Sequence, residues 1–187
     1  MATVALTGDQ YVDIITTIRE GVDGQFRANP RIAAALVIEA NIGMRIGDIL
    51  NMKLSDIIRD GGRYRLNAVE EKKTGKKRSF TVPDAVYCFL RDYCDANDIK
   101  KDDRIFPITP RAVQKHLKTV CKYLELPNIS THSFRKWYAT DIYNANGHDI
   151  VLVQRLLQHS SPSITRRYIG ISDEQMEKAI AGHVNLV

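Results

Sequence analysis

Several features that mark large protein classes are missing from this sequence of 187 residues. No run of about 18 apolar residues is present, and the first residues lack the charged-then-apolar pattern of a secretory signal. The three cysteines, Cys88, Cys94 and Cys121, are odd in number and lie in apolar helical patterns, which argues against a disulfide framework. We therefore expect a soluble, cytoplasmic protein whose cysteines are reduced core residues.

Sequence patterns that hold metals and nucleotides are missing as well. The cysteines lack the close paired spacing of a zinc site, and the five histidines are not clustered near them. There is no carboxylate cluster to hold Mg²⁺ and no glycine-rich loop to cradle a nucleotide phosphate. We expect neither a metal nor a cofactor, and no nucleotide hydrolysis.

The residues that are present have the composition of an ordinary globular protein. Hydrophobic residues make up 44% and charged residues 26% of the chain, and the length suits one well-buried domain. The net charge of +5 favours a polyanionic partner.

Helix signals run through most of the chain. A capping box at Thr7 begins a helix that ends at Gly21, and a polar connector leads to a second helix over residues 31–41. Gly43 ends that helix, and a short helical piece follows over residues 44–50. Later helices are predicted to be capped by Asp84, Thr109, Thr131, Asp149, Ser161 and Ser172.

The period of the apolar residues changes in the middle of the chain. Residues 64–68 alternate apolar with polar side chains, and an extended stretch over residues 79–83 follows a lysine-rich turn. This pattern predicts a β-hairpin with lysines at its tip, and residues 57–58 can supply a third short strand. The predicted fold is therefore α+β, mainly α-helical with a small antiparallel β-sheet at one edge.

Three lysines share the outer face of the helix predicted after Thr109, namely Lys115, Lys118 and Lys122. A solvated surface is the usual explanation of such a stripe. Because the whole chain is basic, a helix that lies against a DNA phosphate backbone is the second interpretation. Both interpretations remain open at the level of sequence.

Two arginines lie in settings that suit an anion. Arg45 follows the break at Gly43 among apolar neighbours, and therefore requires a negative partner, either Asp48 or a bound anion. His132 and Arg135 are three residues apart in the first turn of a predicted helix. That spacing puts them on one face, beside N–H groups that favour a phosphate.

His159 and Tyr168 lie nine positions apart, on either side of a helix start. A serine–proline pair begins that helix, His159 ends the helix before it, and a glycine can end it after Tyr168. Both side chains can therefore face one point. Most tyrosines only pack, whereas two arginines directly before this one, Arg166 and Arg167, favour a reactive residue.

In this order and spacing the motifs resemble the tyrosine recombinase (phage integrase) family. The matching segments are residues 42–50, residues 73–76 in the hairpin, residues 132–135, residues 157–159 and Tyr168. Five motifs in register are far more specific than any one of them. The resemblance implies a single tyrosine-recombinase-like catalytic domain over residues 1–187.

The resemblance also implies a role for each motif residue. Tyr168 would attack a DNA phosphodiester, forming a 3′-phosphotyrosyl link and freeing a 5′-hydroxyl. The two arginines would clamp the scissile phosphate, because guanidinium offers fixed donors where charge develops. The full set is Arg45 and Arg135 as the clamp, Lys73 as general acid, His132 as proton acceptor, His159 as phosphate donor and Asp48 as an orienting residue. Lys72 and Lys76 are DNA-binding neighbours of Lys73 and alternatives to it as the general acid.

Two departures from the family pattern bear on these expectations. Gln158 stands where the family usually has glycine before the second histidine. Family members also commonly carry an N-terminal DNA-binding domain, whereas the match here begins near residue 1. We expect either a fragment or a short member built of the catalytic domain alone.

The resemblance further implies a tetramer on two DNA sites, held by exchanged C-terminal helices over about residues 172–187.

The expected function is site-specific recombination or integration of double-stranded DNA, as in a phage or another mobile element. A type IB topoisomerase would use similar chemistry without pairing two sites. A non-catalytic DNA-binding protein of the same fold would have no need for Tyr168 beside His159. A protein-interaction module would explain the apolar stripe of the tail and none of the basic residues.

Overall fold

The computed structural model describes residues 3–70, 77–157, 159 and 161–169. Two compact units are distinguished, residues 1–138 and residues 139–187. In this part of the chain no helix has the length and apolar character that a membrane span needs. The elements are α1 (Gly8–Glu20), β1 (Gly21–Val22), β2 (Phe26–Arg27), α2 (Pro30–Ile42), α3 (Ile46–Ile49), β3 (Ile57–Asp60), β4 (Arg63–Glu70), β5 (Lys77–Val82), α4 (Asp84–Ala96), α5 (Pro110–Tyr123), α6 (Thr131–Ala145), α7 (Ile150–Leu157) and α8 (Pro162–Ile169).

The core of the first unit is organised around α2. Nine of its residues are buried, from Ile32 to Ile42, as expected for a helix that is apolar on nearly all sides. Asn29 begins the helix by accepting a hydrogen bond from the Ile32 amide at 3.1 Å. Gly43 ends it in the left-handed conformation, with φ of 63°.

The three-stranded sheet has the order β3-β4-β5 and is antiparallel throughout. Ile57 pairs with Leu66, and Leu66 pairs with Phe80. Leu66 and Val82 are buried in the core. The sheet contacts α4 through Tyr64, whose ring stacks on Tyr87 at 3.7 Å between centroids. The predicted α+β architecture is confirmed.

The first half of α6 is anchored on α1 by aromatic contacts. Tyr11 stacks on Trp137 with 4.5 Å between ring centroids and meets Phe134 edge-on at 6.2 Å. The chain before α1 also contacts this helix, because Lys136 donates a hydrogen bond to the Thr3 carbonyl. These contacts fix the turn of α6 that carries Arg135.

The cysteines behave as core thiols. Cys94 and Cys121 are buried, Cys88 is half-buried, and all three are free. Burial raises the pKa of the Cys121 thiol to about 11, so it stays protonated at neutral pH.

Several predicted helix ends are confirmed and others shift. The capping box at Thr7 is present, Thr109 caps α5, and Asp149 accepts from two amides at the start of α7, each at 2.9 Å. The polar connector after Gly21 contains two short strands, β1 and β2, which the sequence did not predict. Left-handed glycines at 21 and 24 permit this tight hairpin, and two-residue strands leave too short a pattern to detect.

The remaining corrections concern three helices. Asp84 was expected to cap α4 and is instead its first residue, because the Pro83 carbonyl already accepts from the Val86 amide at 2.9 Å. Thr131 likewise lies inside α6, since the preceding Ser130 carbonyl accepts from the Ser133 amide at 2.9 Å. α7 ends at Leu157, two residues before His159.

Candidate active site

Arg45 lies at the break between α2 and α3. It adopts an extended backbone, with φ of −72° and ψ of 142°, directly after the left-handed turn at Gly43. Its carbonyl accepts hydrogen bonds from the amides of Asp48 at 2.9 Å and Ile49 at 3.1 Å. Arg45 is half-buried, so part of its side chain reaches the surface.

Arg135 is the largest fully buried side chain of the described residues, at 2% exposure. Its Nη1 donates a hydrogen bond to the carbonyl oxygen of Gly43, two residues before Arg45. The first unit therefore ties the Arg135 guanidinium to the same backbone turn that places Arg45. This brings two of the predicted site residues together.

Gly43 is at the centre of this arrangement. A Cβ added to it would lie 2.3 Å from Cδ1 of Tyr138, closer than any real carbon contact. The Tyr138 ring is thus packed directly on the turn, and burial raises its pKa while the Arg135 charge lowers it. Sequence reasoning used Gly43 only as a helix end and missed this second requirement for glycine.

Asp48 is buried in α3, with 6% of its surface exposed. Its place in the first turn of the helix, three residues after Arg45, suits an orienting carboxylate. Asp48 is thus buried within one helical turn of Arg45, and its role in orienting that arginine stays a prediction.

His132 and Arg135, three residues apart on α6, differ in their exposure to solvent. His132 is exposed, whereas Arg135 is buried. Residues three apart on a helix differ by about 60° in direction, and here that difference separates the surface of α6 from its inward face. A joint role of His132 and Arg135 at one phosphate stays a prediction.

His159 and Tyr168 are close together within the second unit. Their rings meet edge-to-face, with 5.0 Å between centroids and an interplanar angle of 73°. The His159 amide donates to the Gln154 carbonyl at 3.1 Å, which anchors the residue after the end of α7. The predicted convergence of these two side chains is confirmed.

Thr165 is a residue of this pair that sequence reasoning missed. Its side chain is fully buried, and its Oγ1 lies 3.0 Å from Nδ1 of His159. It precedes Tyr168 by three residues on α8, so both lie on the side of the helix that meets His159. That spacing was the available signal, although threonine at such a position is too common to stand out.

The lysines of α5 are exposed, as predicted. Lys115, Lys118 and Lys122 lie on the surface, while the opposite face of the helix buries Val113 and Leu117.

Other predicted residues lie outside the described part of the chain. These are Gln158, the tail over residues 172–187, and the hairpin lysines Lys72, Lys73 and Lys76. The flanking strands β4 and β5 are antiparallel partners up to Glu70 and Lys77. Among the described residues no group of three or more histidine, cysteine or acidic side chains could hold a metal ion.

Comparison with known proteins gives a consistent result. The model of the phage integrase family matches residues 5–175. The probable integrase/recombinase YoeC of Bacillus subtilis is 30% identical over 177 residues, which cover 91% of this chain and 94% of YoeC. The tyrosine recombinase XerC of Caldanaerobacter subterraneus is 28% identical and matches 85% of this chain, which spans only 46% of that relative.

Solved structures share the fold. The XerH site-specific recombinase, in a post-cleavage complex with its palindromic difH substrate, aligns with 97% of this chain and 53% of its own, at a TM-score of 0.69 and 20% identity. The catalytic domain of bacteriophage HP1 integrase aligns with 97% of this chain and 95% of its own, at a TM-score of 0.62 and 18% identity. On the strength of the family match over most of its length, the chain belongs to the phage integrase family.

Proposed function

We propose that this protein is a site-specific recombinase that cuts and rejoins double-stranded DNA through a covalent bond to Tyr168. Family membership supports this reaction class. The observation that carries the assignment of the nucleophile is the edge-to-face pair of Tyr168 and His159, with Thr165 bonded to the imidazole. Tyr168 is also the tyrosine that stands in register with the other motifs of the family.

The proposed reaction has two reversible halves. The Tyr168 oxygen attacks the phosphorus, the bond from phosphorus to the 5′-oxygen breaks, and a 3′-phosphotyrosyl link forms. The phenol proton passes to His132, and Lys73 gives a proton to the departing 5′-oxygen, with Lys72 and Lys76 as neighbouring DNA contacts. In the second half a 5′-hydroxyl attacks the phosphotyrosine, so the strand is rejoined without ATP.

Charge stabilisation is assigned to the two arginines. As phosphorus becomes five-coordinate, negative charge builds on the non-bridging oxygens, and guanidinium groups offer planar, fixed donors to them. The backbone turn shared by Arg45 and Arg135 supports a joint role, with Asp48 orienting Arg45. When His159 is neutral and its Nδ1 accepts a hydrogen bond from the Thr165 hydroxyl, its ring proton is on Nε2. We assign this Nε2–H group as a hydrogen-bond donor to the phosphate.

DNA would also contact the exposed face of α5. Lys115, Lys118 and Lys122 recur along that face, and each neutralised phosphate releases counterions and adds affinity. We further propose that four protomers act on two DNA sites and that residues 172–187 join these protomers to one another. We also propose that the protein works in the cytoplasm, where it can reach its DNA.

The test is covalent trapping on nicked suicide substrates, drawn from a pool of fragments of the source DNA. Wild type, Tyr168→Phe and Tyr143→Phe are compared. Tyr143 is a matched control, because it also meets a histidine edge-on, His148, at 4.9 Å between centroids. We expect a protease-sensitive adduct from wild type and Tyr143→Phe, and none from Tyr168→Phe.

The other outcomes separate the alternatives. An adduct that survives in Tyr168→Phe would assign the nucleophile to another residue. DNA binding without any adduct would favour a non-catalytic DNA-binding protein. Relaxation of supercoiled DNA without exchange between two sites would favour a topoisomerase of type IB.

A further inference from the structure

Thr3 and Val4, which we call the N-terminal strap, are bonded to the segment in which α6 begins. The Val4 amide donates a hydrogen bond to the Asn128 carbonyl at 3.3 Å, and the Ser130 hydroxyl donates to Oγ1 of Thr3 at 3.4 Å. The ammonium group of Lys136 donates to the Thr3 carbonyl. Three contacts therefore join the start of the chain to residues far along it, and the proposed chemistry has not used them.

Thr3 is bonded to residues on both sides of the first turn of α6. Ser130 lies directly before the helix, and Lys136 lies in its second turn. Between them Ser133 closes the turn, since its amide donates to the Ser130 carbonyl at 2.9 Å and its Oγ accepts from the Ser130 amide at 3.1 Å. His132 is part of this turn. The strap therefore encloses the residue to which we assign the phenol proton.

The connection from α5 to α6 has a backbone that needs such support. Glu125 and Asn128 both adopt the left-handed conformation, with φ of 57° and 64°. Residues other than glycine rarely stay in this region unless surrounding contacts hold them there. Val4 supplies one of those contacts, because its amide binds the Asn128 carbonyl. Release of the strap would therefore loosen the connection together with the start of α6.

Lys136 is the charged member of these contacts. Its side chain is half-buried, and burial lowers the pKa of its ammonium group, because the charged form is less stable away from water. A partly buried ammonium group favours positions where oxygen acceptors face it, and the Thr3 carbonyl is one of them. Hydrogen bonds from charged donors are about twice as strong as neutral ones. The strap therefore depends most on Lys136.

We infer that Lys136 is a positioning residue, which holds the N-terminal strap on the start of α6 and thereby fixes the direction in which His132 is presented to DNA. This inference rests on the proposed function, because His132 has its role there. Proton transfer needs close and well-directed groups, so a small displacement of His132 would slow cleavage. Arg135 has a separate anchor at the Gly43 carbonyl, and we expect it to depend less on the strap.

The first experiment needs no DNA and measures amide hydrogen exchange by NMR in the whole protein. The reporters are the amides of Val4 and Ser133, whose hydrogen bonds hold the strap and the turn. Lys136→Met keeps the length of the side chain and removes its charge and its donors. We expect both amides to exchange about tenfold or more faster in this variant. Unchanged exchange at both amides would overturn the inference.

Two further variants control for charge and for side-chain volume. Lys136→Arg retains a charged donor that can reach the Thr3 carbonyl, and should exchange at nearly the wild-type rate. Lys100→Met removes one charge from an exposed lysine after α4, and should leave both amides unchanged. If Lys100→Met had the same effect as Lys136→Met, general charge would explain the change and the inference would be wrong.

The second experiment measures single-turnover cleavage of a suicide substrate, at temperatures where every variant is folded. We expect Lys136→Met to cleave about tenfold more slowly, as for a displaced catalytic group, with most of the rate restored in Lys136→Arg. Its DNA affinity should match that of Lys100→Met, since each variant loses one positive charge. A loss of affinity with a normal cleavage rate would instead make Lys136 a simple phosphate contact.

A double-variant cycle tests whether Lys136 acts through His132. In a His132→Gln background, Lys136→Met should have little further effect on the cleavage rate, because the two changes remove one shared function. A merely structural loss would slow cleavage by the same factor with or without His132. Full additivity of the two changes would therefore contradict the positioning role.

The two proposals fail in different ways. Failure of the proposed function would appear as a wild type that forms no adduct, while hydrogen exchange still reports whether Lys136 holds the strap. Failure of this inference alone would appear as normal cleavage in Lys136→Met together with loss of cleavage in Tyr168→Phe.

Discussion

Gly43 joins the two arginines of the candidate site through a single backbone turn. Its φ of 63° is in the left-handed region, and a Cβ would lie 2.3 Å from the Tyr138 ring. We expect Gly43→Ala to lower the free energy of unfolding by about 1–3 kcal/mol for the backbone strain alone. Tyr138 and the Arg135 helix would also have to move, so DNA cleavage should fall further than stability does.

The control for this change is Gly47→Ala in α3. No atom lies within 4 Å of a Cβ added there, and alanine is favoured over glycine in a helix by about 0.5–1 kcal/mol. Chemical denaturation should show equal or higher stability for Gly47→Ala, with normal cleavage. Similar losses in both variants would mean that the turn at Gly43 has no special role.

Thr165 allows a second test at a single atom. Thr165→Val keeps the shape of the side chain and removes the hydroxyl that lies 3.0 Å from His159. With the imidazole less firmly oriented, we expect cleavage to slow by about tenfold or more, with recovery in Thr165→Ser. The measurement is the rate of adduct formation on a suicide substrate.

Thr140 offers the matched control in the same unit. Its Oγ1 is buried, and within the described residues it has no hydrogen-bond partner. Removing such a group relieves a desolvation cost, so Thr140→Val should be at least as stable as wild type and should cleave normally. Equal slowing in both valine variants would assign the Thr165 effect to α-helix packing.

Sequence could predict residues that have a local signal, and it missed residues defined by tertiary contacts. The pair of His159 and Tyr168 was predicted because a helix start lies between them, and their edge-to-face contact agrees. Gly43 gave only part of its signal, since its close contact with the Tyr138 ring joins residues that are distant in the chain. The burial of Arg135 beside an exposed His132 also depends on how α6 packs.

The elements were predictable where caps and apolar periods are strong. Thr7, Thr109 and Asp149 cap helices as predicted, because one side-chain oxygen bonds an amide two or three residues away. The hairpin of β1 and β2 was missed, because each strand has only two residues. Helix ends at residues 83–84 and 130–131 shifted by one position, which is the usual uncertainty of a helix boundary.

The α5 helix gives a prediction at the scale of an element. Lys115→Ala with Lys118→Ala removes two positive charges from its exposed face. If this face contacts phosphates, DNA affinity should fall for all sequences, and the slope of log K against log salt should become shallower by about two. Fluorescence anisotropy at several salt concentrations measures both.

Lys100→Ala with Lys101→Ala is the control for overall charge. These residues are also exposed lysines, in the segment after α4, and they change the net charge equally. The control pair should alter affinity less and leave the slope nearly unchanged. Equal effects from the two pairs would show that α5 contributes only general positive charge.

At the scale of the whole molecule, the chain divides its proposed chemistry between two compact units. The arginines lie in residues 1–138, and Tyr168 with His159 lies in residues 139–187. The chain spans nearly all of YoeC but about half of XerC. Affinity for DNA grows with the number of phosphate contacts, and pairing of protomers adds to it by raising the effective concentration of each protomer at its site.

The proposed pairing of protomers depends on residues 172–187, whose apolar residues Met176, Ile180 and Val184 recur every four positions. Such a narrow stripe suits docking on a neighbouring protomer. We expect removal of residues 172–187 to leave formation of the Tyr168 adduct intact, while complexes on DNA change from tetramers to smaller species. Native mass spectrometry on a two-site DNA measures the change, and strand exchange should be lost with it.

Two point variants separate the apolar stripe from the length of the tail. Ile180→Asp places a charge in the stripe and should reproduce the loss of tetramers, because burying an unpaired carboxylate at an interface is costly. Glu177→Gln changes a charge next to the stripe and should retain them. If tetramers persist in Ile180→Asp, another surface must hold the protomers together. If Tyr168 adducts also disappear, the tail must support the cleaving protomer itself, and its role would then lie in catalysis rather than in assembly.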